Sequence, residues 1–252
     1  MKIGIIPARY ASTRFPGKPL ALIYNKPMIQ HVYERAKEAD LDDLFVATDD
    51  DRIKKTVESF GGTVVMTSPQ HASGTDRCAE AARTLNLNNT DFIINIQGDE
   101  PFIRKNEINL LTAFTEKQNI QIATLCKPIT IEDELNNQNK VKVVLSTSNK
   151  ALYFSRSSIP YIFKENTLNS PLAAESAKTS FFNSYLHLGI YAYRNDILQQ
   201  ITRLPVSTLE ATEKLEQLRW LENDFTIYLQ ICHYESIAID TPEDLLLMKP
   251  LK

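Results

Sequence analysis

The sequence predicts an α/β fold: a mostly parallel central sheet with helices on both faces, and a β-rich excursion in the second half. Three observations predict it. Short apolar runs alternate with amphipathic stretches through the first half of the chain. The residues between them are of the kind that stop helices and open strands. Between residues 141 and 193, strand-like runs succeed one another with no helical pattern between them.

Each element has its own reason. Lys2-Ile-Gly-Ile-Ile6 reads as a buried strand, and Pro27 to Ala39 as a helix with proline in its first turn. Leu44 to Ala47 is a second strand, followed by a helical stretch from Asp50 to Phe60 that Gly61-Gly62 stops. Thr63 to Met66 is the third strand. A loop rich in Ser, Thr and Gly leads to a helix from about Thr75 to Leu85, and Phe92 to Ile96 is the fourth strand. The runs Val141–Leu145, Ala151–Phe154 and Leu188–Tyr193 form the excursion. Between the last two, residues 164–180 lack any period and are expected to be a long surface loop. Helices over Asn195–Ile201 and Leu209–Glu222, strands over Thr226–Ile231 and Ser236–Ile239, and a final helix opening at Thr241 complete the pattern. With no repeat or linker, residues 1–252 are expected to form one domain.

Composition narrows the function. Of 252 residues, 31 are acidic and 28 basic, a net charge of −3, so no nucleic-acid coating surface is expected. The apolar runs are far shorter than the ~20 residues needed to cross a bilayer. The first one ends at Pro7 and Arg9, too early for a secretory leader. Three widely spaced cysteines and four histidines form no zinc-spaced set. Buried, reduced thiols and a cytoplasmic location are therefore expected.

In an open parallel sheet, ligands bind beyond the carboxyl ends of the strands. After the first strand comes Pro7-Ala-Arg-Tyr-Ala-Ser-Thr-Arg-Phe-Pro-Gly-Lys-Pro19. Arg9, Arg14 and Lys18 supply three cations with no carboxylate between Lys2 and Glu34, Ser12 and Thr13 add hydroxyls, and Gly17 permits close backbone approach. A polyanion such as a triphosphate is the natural complement, although a solvated basic loop has the same spacing. The loop is neither a Walker A motif nor a dinucleotide fingerprint. After the fourth strand, Gln97-Gly-Asp-Glu-Pro101 puts Asp99 where a carboxylate can hold Mg²⁺. After the last, Thr241-Pro-Glu-Asp244 forms its own capping box and leaves Asp240 for another duty. A turn role for either aspartate remains open on spacing alone. Asp49 and Asp50 read as helix-start acids. Arg77, near a helix start, is either a nucleotide contact or a surface arginine. His187 is either a ligand contact or a core histidine. Glu210, Glu213 and Gln217 share one face of the expected 209–222 helix.

Taken together, IPARYASTRFPGKPL, VATDD, MTSPQHASGTDR, NIQGDEP, ALYFSRSSIP, HLGIYAYR, LEQLR and DTPEDL, in that order from Ile5 to about Leu246, closely resemble the 3-deoxy-manno-octulosonate (Kdo) cytidylyltransferases. The resemblance implies a Rossmann-like nucleotide-diphospho-sugar transferase fold and a homodimer formed largely through residues 141–194. It also implies Mg²⁺ dependence, and transfer of CMP from CTP to Kdo for the inner core of lipopolysaccharide. It further implies that Arg9, Ser12, Arg14 and Lys18 hold the triphosphate, and that Ser73, Gly74 and Arg77 lie near the cytidine. Asp99 and Asp240 would hold the metal, with Lys18 and Arg9 also serving catalysis. Gln97, Arg156, Tyr185, His187, Glu210 and Gln217 would meet the sugar acid. Residues 164–180 do not follow the family pattern, and Ala238 stands where relatives often carry glycine. A transferase for 8-amino-Kdo or sialic acid would carry similar motifs. A non-catalytic nucleotide-binding protein would lack the metal carboxylates.

Overall fold

The computed structural model describes residues 1–11, 15–117, 120–162, 184–234 and 239. Strand β1 (Lys2–Ala8) leads through a 3-10 turn at Lys18–Leu20 to a small hairpin, β2 (Leu22–Ile23) and β3 (Lys26–Pro27). Tyr24 and Asn25 at its tip both have positive φ, as a tight hairpin turn demands. Then follow α1 (Met28–Lys37), β4 (Asp43–Thr48), α2 (Asp51–Ser59), β5 (Val64–Met66), α3 (Gly74–Thr84) and β6 (Phe92–Asn95), the alternation read from sequence. Next come α4 (Lys105–Thr115), β7 (Ile122–Pro128), α5 (Glu132–Asn136), β8 (Lys142–Leu145), β9 (Ala151–Ser155) and β10 (Tyr185–Arg194). The described elements end with α6 (Asn195–Ile201), α7 (Thr208–Glu213), α8 (Gln217–Glu222) and β11 (Ile227–Ile231).

The main sheet runs β11-β7-β10-β6-β1-β4-β5. Every neighbouring pair is parallel except those made by β10, which lies antiparallel between β6 and β7. The excursion is thus rooted in the main sheet: β10 belongs to it, and only the β8–β9 ribbon leaves it, paired to the start of β10. Strand periodicity splits the core in two. Ile3 and Ile5 of β1 pack with α3, α6 and Trp220 on one face, while Ile6 joins Ile29, Val32, Ile108 and Leu111 of α1 and α4 on the other.

The single helix expected over 209–222 is two. Lys214 takes a left-handed conformation (φ 56°) and breaks it between α7 and α8. The loop expected at 164–180, the helix opening at Thr241, and all of the strand expected at 236–239 except Ile239 lie outside the described residues. Among the described residues no helix is long and apolar enough to cross a membrane, and all three cysteines are buried free thiols.

Candidate active site

β1 has β4 on one side and β6 on the other. The chain leaves it outward to β4 and β5 and then returns to β6, which opens a crevice beyond the carboxyl ends of β1 and β6. A cleft of about 220 Å³ lies there, lined from both tips and from the start of α3. Two glycines make it possible. Gly17 sits at φ 71° with its N–H donating to the Tyr10 carbonyl at 2.9 Å, so the loop folds back and presents Lys18. At Gly98 a Cβ would lie 2.9 Å from the Pro7 carbonyl oxygen, so only glycine lets the two tips meet.

The two tips also meet chemically. Lys18 Nζ stands 2.8 Å from Asp99 Oδ2, joining the expected phosphate-binding cation to the expected metal carboxylate. Arg9 is exposed on the same cleft wall. The Asp99 carbonyl accepts the Ile239 N–H at 3.0 Å, which ties Ile239 to this wall; Asp240, like Ser12 and Arg14, lies outside the described residues.

The third wall is the first turn of α3. Ser73 caps it in a reciprocal box with Asp76. Ser73 and Thr75 also donate to the two oxygens of Glu216, at 2.9 and 2.7 Å, and burial pushes that carboxyl up. Gly74 and Arg77 line the cleft. Arg77 is not a surface arginine: it is only 3% exposed, with Nη1 donating to Thr67 Oγ1 at 2.5 Å and Nη2 standing 3.4 Å from Asp49 Oδ2. Asp49 is accordingly no helix-start acid. Asp50 alone caps α2, accepting from the N–H groups of Arg52 and Ile53.

The residues expected at the sugar divide. Gln97 lines the cleft and donates from Nε2 to the Gly189 carbonyl at 2.9 Å, on the stretch of β10 that runs past the end of β6. The His187 ring packs edge-on to Phe154 and against Tyr191, with centroids 5.1 and 5.2 Å away, and burial pushes its pKa down to about 3. Its Nε2 lies 3.1 Å from Thr124 Oγ1. The Thr124 hydroxyl proton goes to the Ile190 carbonyl at 2.6 Å, so the assignment that satisfies both puts a proton on Nε2. Tyr185 is half-buried on β10, and burial raises its pKa.

The others have structural engagements. Arg156 donates from Nε to the Glu213 carbonyl and from Nη1 to that of Gln138. Both oxygens of Glu210 are held by Arg219, at 2.7 and 2.6 Å, and Glu210 also completes the capping box of α7. Gln217 is buried at the start of α8. Because of the break at Lys214, Glu210, Glu213 and Gln217 do not share a helix face. Sequence reasoning missed Glu216, which a break at Lys214 would have brought forward. It also missed His71, which lines the cleft and contacts Glu80.

Residues 3–231 match the family model described as cytidylyltransferase. The chain belongs to that family. This cytidylyltransferase is 53% identical over 247 residues to the 3-deoxy-manno-octulosonate cytidylyltransferase of Parabacteroides distasonis, covering 96% of this chain and 94% of the relative. It is 49% identical over 244 residues to the 8-amino-3,8-dideoxy-manno-octulosonate cytidylyltransferase of Shewanella baltica, with 96% and 94% covered. A solved CMP:2-keto-3-deoxy-manno-octonic acid synthetase, complexed with CTP, superposes on the cytidylyltransferase with a TM-score of 0.84 at 42% identity. That match covers 97% of this chain and 95% of the other.

Proposed function

We propose that the protein transfers CMP from CTP to the anomeric 2-hydroxyl of Kdo, giving CMP-Kdo and pyrophosphate for the inner core of lipopolysaccharide. One observation carries the reading: a basic loop and a strand-tip carboxylate meet across the cleft, with Lys18 2.8 Å from Asp99. Transfer to phosphorus rests largely on positioning and on stabilising phosphoryl oxygens, and the cleft offers fixed cations for both.

In this reading Lys18 and Arg9, with Ser12 and Arg14, hold the triphosphate and take up the charge that pyrophosphate carries away. Ser73, Gly74 and Arg77 lie against the cytidine. Gln97, fixed by the Gly189 carbonyl, and His187 and Tyr185 on β10 face the sugar acid. Glu210 and Arg156, each engaged within the fold, are left out of the sugar site.

The donor chemistry fits Mg²⁺, which is characteristically held by one or two carboxylates together with substrate phosphates and water. Asp99 offers hard oxygens on the cleft wall, and Asp240 follows Ile239, whose N–H binds the Asp99 carbonyl. Asp99 and Asp240 would hold the ion. Bound there, it supplies positive charge beside the α-phosphate and acidity to the sugar hydroxyl. The reading extends to a homodimer through about residues 141–194, where Leu152 and Tyr161 are 59% and 85% exposed. It extends also to the cytoplasm, in keeping with three unpaired thiols.

Asp99→Asn is expected to lower kcat for pyrophosphate release about 10²–10³-fold while the melting temperature stays put. Near-normal turnover of that variant at saturating Mg²⁺ would remove Asp99 from the reaction. Comparing kcat/KM for Kdo and 8-amino-Kdo assigns the acceptor.

A further inference from the structure

We infer that Asp49 is a positioning residue for the nucleotide: through Arg77 it sets the direction from which a cation faces the cleft. The inference rests on the proposed function only in taking the cleft occupant to be a nucleoside triphosphate.

The geometry begins at two strand ends. Asp49 directly follows β4, and Thr67 directly follows β5. The Thr67 N–H donates to the Thr48 carbonyl at 2.9 Å, which locks the two ends together. From this platform Asp49 and Thr67 hold opposite arms of one guanidinium, Nη2 at 3.4 Å and Nη1 at 2.5 Å. A guanidinium has five N–H donors in a rigid plane, so two anchors fix that plane and leave the other donors for a ligand. Arg77 lines the cleft although it is only 3% exposed.

The pair is badly arranged for stability alone. The Arg77–Asp49 contact is long for a charge-assisted hydrogen bond. The other carboxylate oxygen, Oδ1, is buried and has no hydrogen-bond partner among the described residues. A buried acceptor left unsatisfied costs stability, so such a group calls for a reason. Holding Arg77 at a fixed angle supplies one.

The sign of the effect separates positioning from charge balance. If Asp49 only offset positive charge beside an anion site, its neutralisation would tighten binding of a triphosphate. If it orients Arg77, neutralisation weakens binding although an anion-repelling charge has gone.

The test uses the full chain and calorimetric titration with CTP, alongside steady-state KM values. Asp49→Asn keeps the shape and removes the charge. It is expected to weaken CTP binding about tenfold, with kcat and the KM for the sugar acid within about twofold of wild type. Thr67→Val, which removes the other anchor, is expected to act in the same direction. Arg77→Ala is expected to weaken CTP at least as much, and Asp49→Asn added to it is expected to cost nothing further.

Unchanged or tighter CTP binding in Asp49→Asn, with weakened binding in Arg77→Ala, would overturn the inference and leave the proposed function standing. So would an additional loss when Asp49→Asn is combined with Arg77→Ala. Absence of CTP binding by the wild-type chain would instead defeat the functional reading itself. Where Asp49→Asn lowers the melting temperature, the split between KM for CTP and KM for the sugar acid decides, because a loss of folded protein lowers apparent kcat and leaves both KM values in place.

Discussion

His187 shows how one side chain can be committed by its packing before any ligand arrives. Its ring lies between Phe154 and Tyr191, and burial holds it neutral, with its pKa near 3 against an ordinary 6.5. Such a ring has its one N–H directed at Thr124, so Nδ1 can only accept a hydrogen bond, and it brings no charge to a sugar carboxylate. The linkage has a definite sign. A histidine whose folded pKa is depressed contributes fully above its unfolded pKa, and the contribution is lost as pH falls below about 6.5, where the unfolded chain takes up the proton first. The slope for one such group is at most ~1.4 kcal/mol per pH unit. His187→Gln, which keeps a polar group and cannot titrate, should therefore lose melting temperature less steeply than wild type on acidification from pH about 6.5 to about 4.5. Parallel curves for the two proteins would show that the ring is solvated enough to be protonated in place.

At the scale of elements, α7 and α8 explain why Glu210 belongs to the fold. Lys214 turns the chain through a left-handed residue, so the Glu210 carboxylate faces Arg219 of the next helix in a two-pronged pair, with both side chains largely buried. Glu210→Gln is expected to cost about 1–3 kcal/mol, because Arg219 keeps its charge and loses its partner. The KM for the sugar acid should not move; urea denaturation and initial rates check the two halves, and a raised KM with unchanged stability would return Glu210 to the ligand. The break was not legible in the sequence, since a left-handed lysine leaves no pattern and 209–222 has unbroken helical spacing. Elements whose periodicity is local were legible: β1, the helix stopped at Gly61-Gly62, and α3, expected from about Thr75. What the site adds comes from tertiary contact. The burial of Arg77 depends on Asp49 and Thr67 at the ends of two other strands, and no local spacing announces it.

For the whole molecule, the working distance is the one between the tips of β1 and β6. The cations of the basic loop hang from one tip and Asp99 from the other, and nothing in either strand alone fixes their separation. Gly98 does. Its backbone passes so near Pro7 that a Cβ would sit 2.9 Å from the carbonyl oxygen. That atom cannot step aside as a side-chain end would, because it belongs to backbone that is held in register against Ala47 of β4. Gly98→Ala must therefore push the tips apart by a few tenths of an ångström, at a cost of about 1–3 kcal/mol in stability. Reaction geometry is steeper than packing, since a misplacement of order 1 Å can cost about 10²-fold in rate. The expected result is a folded enzyme with a modestly lower melting temperature and kcat reduced about 10-fold or more. CTP binding should fall much less, because the cations of the basic loop move together with the loop that carries them. A variant that kept full kcat would mean that the separation of the two tips is set elsewhere, by the nucleotide itself drawing them together.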